Sequence, residues 1–313
     1  MEFIDPKINV DFVSKRKWAF LISGLLLVIS LFSLATRGLN FGLDFSGGAV
    51  MQLRFPGPAP VHQIRVSLTE IGLGAAVIQE FGSPEEILIR IHQEHQEGQD
   101  GQAASKMAQK IVDTLSPLAG SSGKVELRRV EFVGPQVGKE LTINGIWAVV
   151  YSWIAILVYV GIRFEFRFAL GAVLSLIHDV FMILGFFSFT QKEFSLVVVA
   201  AVLTVIGYSI NDTIVVFDRI RDETKRLRNQ PMEAIINEAT NRTLSRTINV
   251  SLTVVLVLLA LFFYGGEVIH DFAVALLLGV VVGTWSSIYV ASPTVLVFEH
   301  WRLARQAKAK AQA

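Results

Sequence analysis

Six stretches of this chain lack the alternation of polar and apolar positions that a soluble fold needs. At about 18–35, 143–161, 168–189, 194–217, 248–264 and 272–298, apolar residues continue far enough to cross ~30 Å of hydrocarbon as a helix. Between the first two runs, over 36–142, the pattern changes to short alternating segments punctuated by Gly and Pro. It predicts strands at 40–55, 76–81, 86–92 and 124–132, with helices at 60–71 and 102–115. Gly57 and Pro58 precede the first of these helices and Gly72 and Gly74 follow it. Ser83-Pro84 separates two strands, and Gly98 and Gly101 mark a loop. The order βαββαβ predicts a ferredoxin-like α+β domain inserted between the first and second transmembrane helices of a polytopic α-helical membrane protein.

The basic residues orient the spans. Lys7, Lys15, Arg16 and Lys17 precede the first; Arg163 and Arg167 separate the second and third. Arg219, Arg221, Lys225, Arg226, Arg228 and Arg242 lie between the fourth and fifth, and Arg302, Arg305, Lys308 and Lys310 follow the last. The short loops on the opposite side contribute only Lys192. The positive-inside rule therefore puts both termini in the cytoplasm, 1–17 and a basic tail at 299–313, and the 36–142 domain outside it. The first run exceeds a signal-peptide core and no clear A-x-A-type site follows, so it is expected to be a retained anchor. The segment 218–246 reads as a cytoplasmic amphipathic loop lying along anionic lipid, with Pro231 opening a helix; a docking site for a cytoplasmic partner is the alternative.

Composition agrees. Hydrophobic residues make up 52% and charged residues 18%, which excludes an ordinary soluble domain. Cysteine is absent, which removes disulfides and thiolate metal or redox chemistry.

Against this apolar background, Gly207-Tyr208-Ser209-Ile210-Asn211-Asp212-Thr213 puts a carboxylate inside the fourth run. An aspartate at a spanning-helix centre costs roughly 2.5–3.5 kcal/mol on insertion scales, so it must face protein or water, find a cation or carry a proton. Arg246, near the start of the fifth run, lies at a depth from which its flexible side chain can pair with Asp212. Asn211, Ser209, Thr213 and Tyr208 supply groups able to hold water or relay a proton. The blander alternative is a snorkelling arginine beside an aspartate hydrogen-bonded for packing. His178 and Asp179 form a second polar island in the third run, expected either to extend the proton route or to brace the bundle. Gly279 and Gly283 form a GxxxG pattern that suits close helix packing without naming a partner.

Other chemistry finds little support. The glycine-rich 42–48 stretch lacks the Gly-Lys-Ser/Thr ending of a phosphate loop. His92 and His95 have no evident third metal ligand, and the basic residues follow the membrane rule without the interleaved aromatics of a nucleic-acid face.

Several separate stretches carry a family resemblance. They are Phe41-Gly42-Leu43-Asp44-Phe45-Ser46-Gly47-Gly48, Val130-Glu131-Phe132-Val133-Gly134-Pro135-Gln136-Val137-Gly138, His178-Asp179, the 207–219 segment and Asn241-Arg242-Thr243-Leu244-Ser245-Arg246-Thr247. With these motifs the chain resembles, end to end, the SecF branch of the SecD/SecF family of bacterial protein-export subunits, within the resistance-nodulation-division superfamily. The resemblance implies a non-enzymatic, inner-membrane auxiliary subunit of the Sec translocase without a cofactor. With SecD it would use the proton gradient to move periplasmic domains that promote preprotein translocation and release. It implies Asp212 as the proton-responsive acid, Arg246 as its counter-charge, and Gly42, Asp44, Gly47, Gly48, Gly134, Pro135, Gly138 and Gly207 as structural motif positions. Association with SecYEG, YajC and YidC is implied too. Competing readings are a proton-coupled exporter of small molecules or lipids, disfavoured by having half the usual spans, and a purely structural scaffold.

Overall fold

The computed structural model describes residues 9–91 and 101–312. In chain order, the helices are α1 (Arg16–Arg37), α2 (Val61–Glu70), α3 (Gly101–Leu115), α4 (Pro135–Arg163), α5 (Phe166–Thr190), α6 (Leu196–Arg226), α7 (Met232–Tyr264), α8 (Gly266–Ser286) and α9 (Ser292–Gln312). A π-helical turn, Ser287–Ala291, joins α8 to α9. Four strands, β1 (Gly48–Arg54), β2 (Val77–Phe81), β3 (Ser83–Ile91) and β4 (Glu126–Val133), form one sheet. Two compact units result, one of residues 41–146 and one of the remainder.

In the first unit the sheet order is β2-β3-β1-β4 with every neighbouring pair antiparallel, the split-βαβ arrangement expected from the order of elements. Alternation sets its core. Ala49, Met51 and Leu53 on β1 stand opposite Ile91, Ile89 and Ile87 on β3, all on the buried face. Ile64 and Leu68 of α2 and Ala108, Ile111 and Leu115 of α3, spaced at helical intervals, close that face.

Three details of this unit differ from expectation. The 40–55 segment is not one strand: Leu43–Ser46 forms a helical turn, and Gly47 and Gly48 follow at φ 69° and 120°, which only glycine adopts without strain, so the ladder starts at Gly48. The break between β2 and β3 is made by Gly82 at φ 71°, and Ser83-Pro84 already belongs to β3. Gly101 opens α3 rather than marking a loop; His92, His95 and Gly98 lie outside the described residues.

The two glycine motifs meet. Gly48 pairs with Val133, and in the first turn of α4 a Cβ on Gly138 would come 2.8 Å from the Phe45 carbonyl oxygen. Pro135 occupies the first helical position, where its missing N–H costs nothing, and Asp44 sits in the first turn of the short helix.

Among the described residues, six helices are long and apolar enough to cross a membrane: α1, α4, α5, α6, α7 and the α8–α9 run. α5, α6 and α8–α9 are the most enclosed, while α4 and α7 keep most of their apolar surface uncovered. Small residues set the spacing. Gly185 of α5 admits Ser30 of α1, and Ser33 bonds Ser188 at 2.9 Å between the same helices. The GxxxG pair packs within the chain against α6, Gly279 on Val205 and Gly283 on Ser209.

In the 218–246 segment the helix expected after Pro231 begins at Met232 and runs on as α7, while α6 continues to Arg226 where a loop was expected. Paired charges explain this. Arg219–Glu223 at 2.9 Å and Glu238–Arg242 at 2.6 Å are i,i+4 pairs within each helix, and Arg242 reaches Glu223 at 3.4 Å across them. The expected tail continues as α9.

Candidate functional site

The polar groups inside the bundle collect on facing surfaces of α5, α6, α7 and α8. Asp212, on the last apolar turns of α6, accepts from Thr247 Oγ1 of α7 at 2.6 Å and from Ser287 Oγ of the π turn at 2.9 Å. Each carboxylate oxygen thus takes a hydroxyl from a different helix, so the acid is satisfied without an adjacent cation. Asp179, fully buried on α5, accepts Ser209 Oγ of α6 at 2.6 Å and Ser286 Oγ of α8 at 2.9 Å on the same oxygen. Its other oxygen lies 3.0 Å from His178 Nδ1. His178 is itself buried, and its Nε2 has no hydrogen-bond partner among the described residues. A neighbouring hydroxyl chain runs from Tyr208 to Ser251 at 3.2 Å and from Ser251 to Thr284 at 2.8 Å.

Helix geometry explains which side chains enter. Thr247 points at α6, and Arg246, one residue earlier and so about 100° away, is exposed on the outer surface. The expected Asp212–Arg246 ion pair is therefore absent among the described residues, and Thr247 holds the place assigned to the arginine. Arg246 remains close enough to act electrostatically on Asp212. Asn211 and Gly207, four residues apart on α6, face outward, and a Cβ on Gly207 would meet nothing within 4 Å. His178 and Asp179 do come together with the α6 motif, through Ser209.

The sequence reading missed Thr247, Ser286 and Ser287 as contacts of the two acids. A hydroxyl in an apolar run is a weak signal, but Pro293 was a stronger one. Its ring displaces the carbonyl four residues earlier and opens the helix, and Ser292 Oγ then donates to the Ser287 carbonyl at 2.9 Å across the widened π turn. Such turns concentrate at functional sites.

Known proteins resemble the chain along nearly its whole length. Residues 114–301 match the family model "Protein export membrane protein SecD/SecF, C-terminal", and residues 32–55 match "SecD/SecF GG Motif". The chain is 57% identical over 291 residues to the protein translocase subunit SecF of Magnetococcus marinus, covering 93% of this chain and 92% of that one. It is 46% identical over 304 residues to that of Calditerrivibrio nitroreducens, covering 96% and 98%. The crystal structure of SecDF, a translocon-associated membrane protein from a Thermus species, superposes with TM-score 0.81 at 35% identity; it covers 95% of this chain, which spans 40% of that longer one.

Proposed function

The chain belongs to the SecF protein-translocase subunits of the SecD/SecF family, and from that premise we propose that it couples proton movement across the membrane to motions of its α+β domain that promote preprotein translocation and release. The observation that carries this reading is Asp212, a carboxylate within an apolar bundle, satisfied by hydroxyls on two other helices while the exposed Arg246 stands one residue from its ligand Thr247. Two arrangements are available to such a group. In one, Thr247 and Ser287 hold Asp212; in the other, the arginine side chain swings in and replaces them. Gain or loss of a proton at Asp212 selects between them, and because α6 and α7 both change partner, the choice becomes helix movement. One charge crossing 100 mV supplies ~2.3 kcal/mol, enough to shift such an equilibrium by more than tenfold.

Asp179 and His178 extend the same polar layer. Asn211, Gly207 and Arg246 face outward, which suits a surface covered by a SecD subunit, and the likeness to SecDF supports that partnership. SecYEG, YajC and YidC as further partners, preproteins as cargo, an outward α+β domain and cytoplasmic termini belong to the same proposal. Isolation from native membranes in mild detergent tests the partnership: co-purified SecD and channel subunits support it, and a self-contained trimer that exports a small compound overturns it. Asp212→Asn keeps the shape and removes the titration. Export in cells carrying it is expected to become insensitive to the proton gradient; unchanged gradient dependence would leave only a scaffold role.

A further inference from the structure

Ser286 and Ser287 are consecutive, yet each serves a different acid: Ser286 Oγ donates to Asp179 and Ser287 Oγ to Asp212. Each hydroxyl also has a second acceptor on its own helix, the Gly283 carbonyl at 3.2 Å for Ser286 and the Thr284 carbonyl at 3.0 Å for Ser287. A serine has one proton to give and two lone pairs to receive with. While the carboxyl group is ionised, the hydroxyl proton points at it. When the carboxyl group is protonated, the serine turns its own proton to the helix carbonyl and accepts from the acid. Neither state leaves a buried polar group unpaired, which would cost ~1–3 kcal/mol. The direction of Ser286 and of Ser287 therefore follows the protonation of its acid when the acid's one proton lies on the oxygen that faces the serine and is donated to it.

Geometry joins the two positions. One peptide bond separates the serines, and the π turn that begins at Ser287 is held by Ser292, fully buried, and seeded by Pro293. On the other side, Ser209, which also bonds Asp179, lies one helical turn before Asp212 on α6. The two acids are thus linked twice, through Ser286–Ser287 and through the α6 backbone.

We propose that Ser286 and Ser287 are positioning residues that make Asp179 and Asp212 a single coupled pair, with the Ser292–Pro293 π turn setting the angle at which consecutive hydroxyls reach two different helices. The proposal rests on the reading of Asp212 as a proton-binding acid and extends it to a second acid and to the device between them. Protonation at one acid then resets the serine that faces it, displaces the shared turn, and changes the hydrogen bond available to the other.

Arg246 on α7 and Tyr208 on its own helix act electrostatically on Asp212; of the elements packed against α6, α5 carries His178 and Asp179, joined to α6 through Ser209, and the π turn carries Tyr289. Asp179 is the one whose removal tests the link. The experiment uses the full chain with its native partners in membrane vesicles. Dicyclohexylcarbodiimide, which modifies protonated carboxyl groups in apolar surroundings, is applied across a pH series, and labelling of Asp212 is quantified by peptide mass spectrometry. Asp179→Asn is expected to shift the pH midpoint of Asp212 labelling by at least about half a unit, about threefold in proton affinity. In Ser286→Ala and in Ser287→Ala backgrounds, each of which removes one oxygen and keeps the helix, the same change is expected to shift it less than twofold. Ser292→Ala with Pro293→Ala is expected to do likewise. A shift that persists undiminished in the serine variants, no shift in the unsubstituted protein, or no labelling of Asp212 at any pH overturns the proposal. The outcome is separable from the export reading. Coupled labelling alongside Asp212→Asn export that still responds to the gradient would sink the function and leave the linkage, and the converse would sink the linkage alone.

Discussion

Replacing Gly283 by alanine puts one methyl group into a close approach between α8 and α6. That methyl would stand 3.0 Å from both the Cβ and the Oγ of Ser209 and 3.5 Å from its Cα, a few tenths of an ångström inside ordinary contact. The helices cannot simply part, because Gly279 one turn earlier is pressed against Val205 in the same interface. Either the backbones shift or Ser209 rotates away, and rotation gives up its 2.6 Å hydrogen bond to Asp179. Overpacking of this size costs ~1–3 kcal/mol. Leaving the buried Asp179 carboxyl group short of a hydrogen-bond partner costs ~1–3 kcal/mol. A backbone shift alone incurs the first cost, and both together predict a destabilisation of about 2–6 kcal/mol. Denaturant unfolding of the purified protein in mild detergent measures it. The double variant Gly283→Ala with Ser209→Gly moves the notch to the other helix, so its cost is expected to fall short of the sum of the singles by ~1 kcal/mol or more. A Gly283→Ala effect below ~0.5 kcal/mol, the scatter of neutral surface substitutions, or strict additivity in the double, would refute this packing argument.

Two further outcomes follow from the ends of α6 and α7. The chain preceding α1 is strapped to α7 by side-chain amides: Asn237 Oδ1 accepts the Phe12 N–H at 2.8 Å, and Asn241 both accepts from the Val10 N–H and donates to the Val10 carbonyl at 2.8 Å. Asn237→Ala and Asn241→Ala are expected to speed amide exchange at Phe12 and Val10 by about tenfold, ~1.4 kcal/mol of local opening, with α7 itself unaffected; unchanged exchange would contradict the strap. Glu223, nearly fully buried, gathers Arg219, Arg226 and Arg242 at 2.9, 2.6 and 3.4 Å. Those arginines are partly solvated and can turn to water, so Glu223→Gln is expected to cost only ~1–3 kcal/mol in thermal or denaturant unfolding, and no loss would mean the cluster ties nothing together.

The membrane architecture was legible because an apolar run of about twenty residues has few other uses, and the α+β domain because period-two alternation and glycine punctuation bound its strands. Asp212 was legible for the same reason in reverse, as a charge where charge is expensive. Its surroundings were less so. Choosing between Arg246 and Thr247 as its partner requires the rotation of α7 to within one residue, which depth along the helix does not supply. The serines were hidden by their commonness in apolar helices, whereas Pro293 did announce an irregular turn beside them. In the 218–246 segment Pro231 announced the helix that follows it, whereas the continuation of α6 to Arg226 was missed because the charges there were counted rather than spaced; Arg219 with Glu223 stands at the i,i+4 interval that stabilises helix. In the 40–55 segment, consecutive glycines at 47 and 48 interrupted what hydrophobicity alone joined.

The central claim is that a proton on Asp212 decides which partners α6 and α7 keep. Inverted membrane vesicles containing the full complex allow preprotein translocation to be timed with and without an imposed proton gradient. With the native residue the gradient is expected to accelerate the late stage of translocation; with Asp212→Asn the two rates should coincide while the complex stays assembled. An undiminished response to the gradient in the asparagine variant would contradict the account.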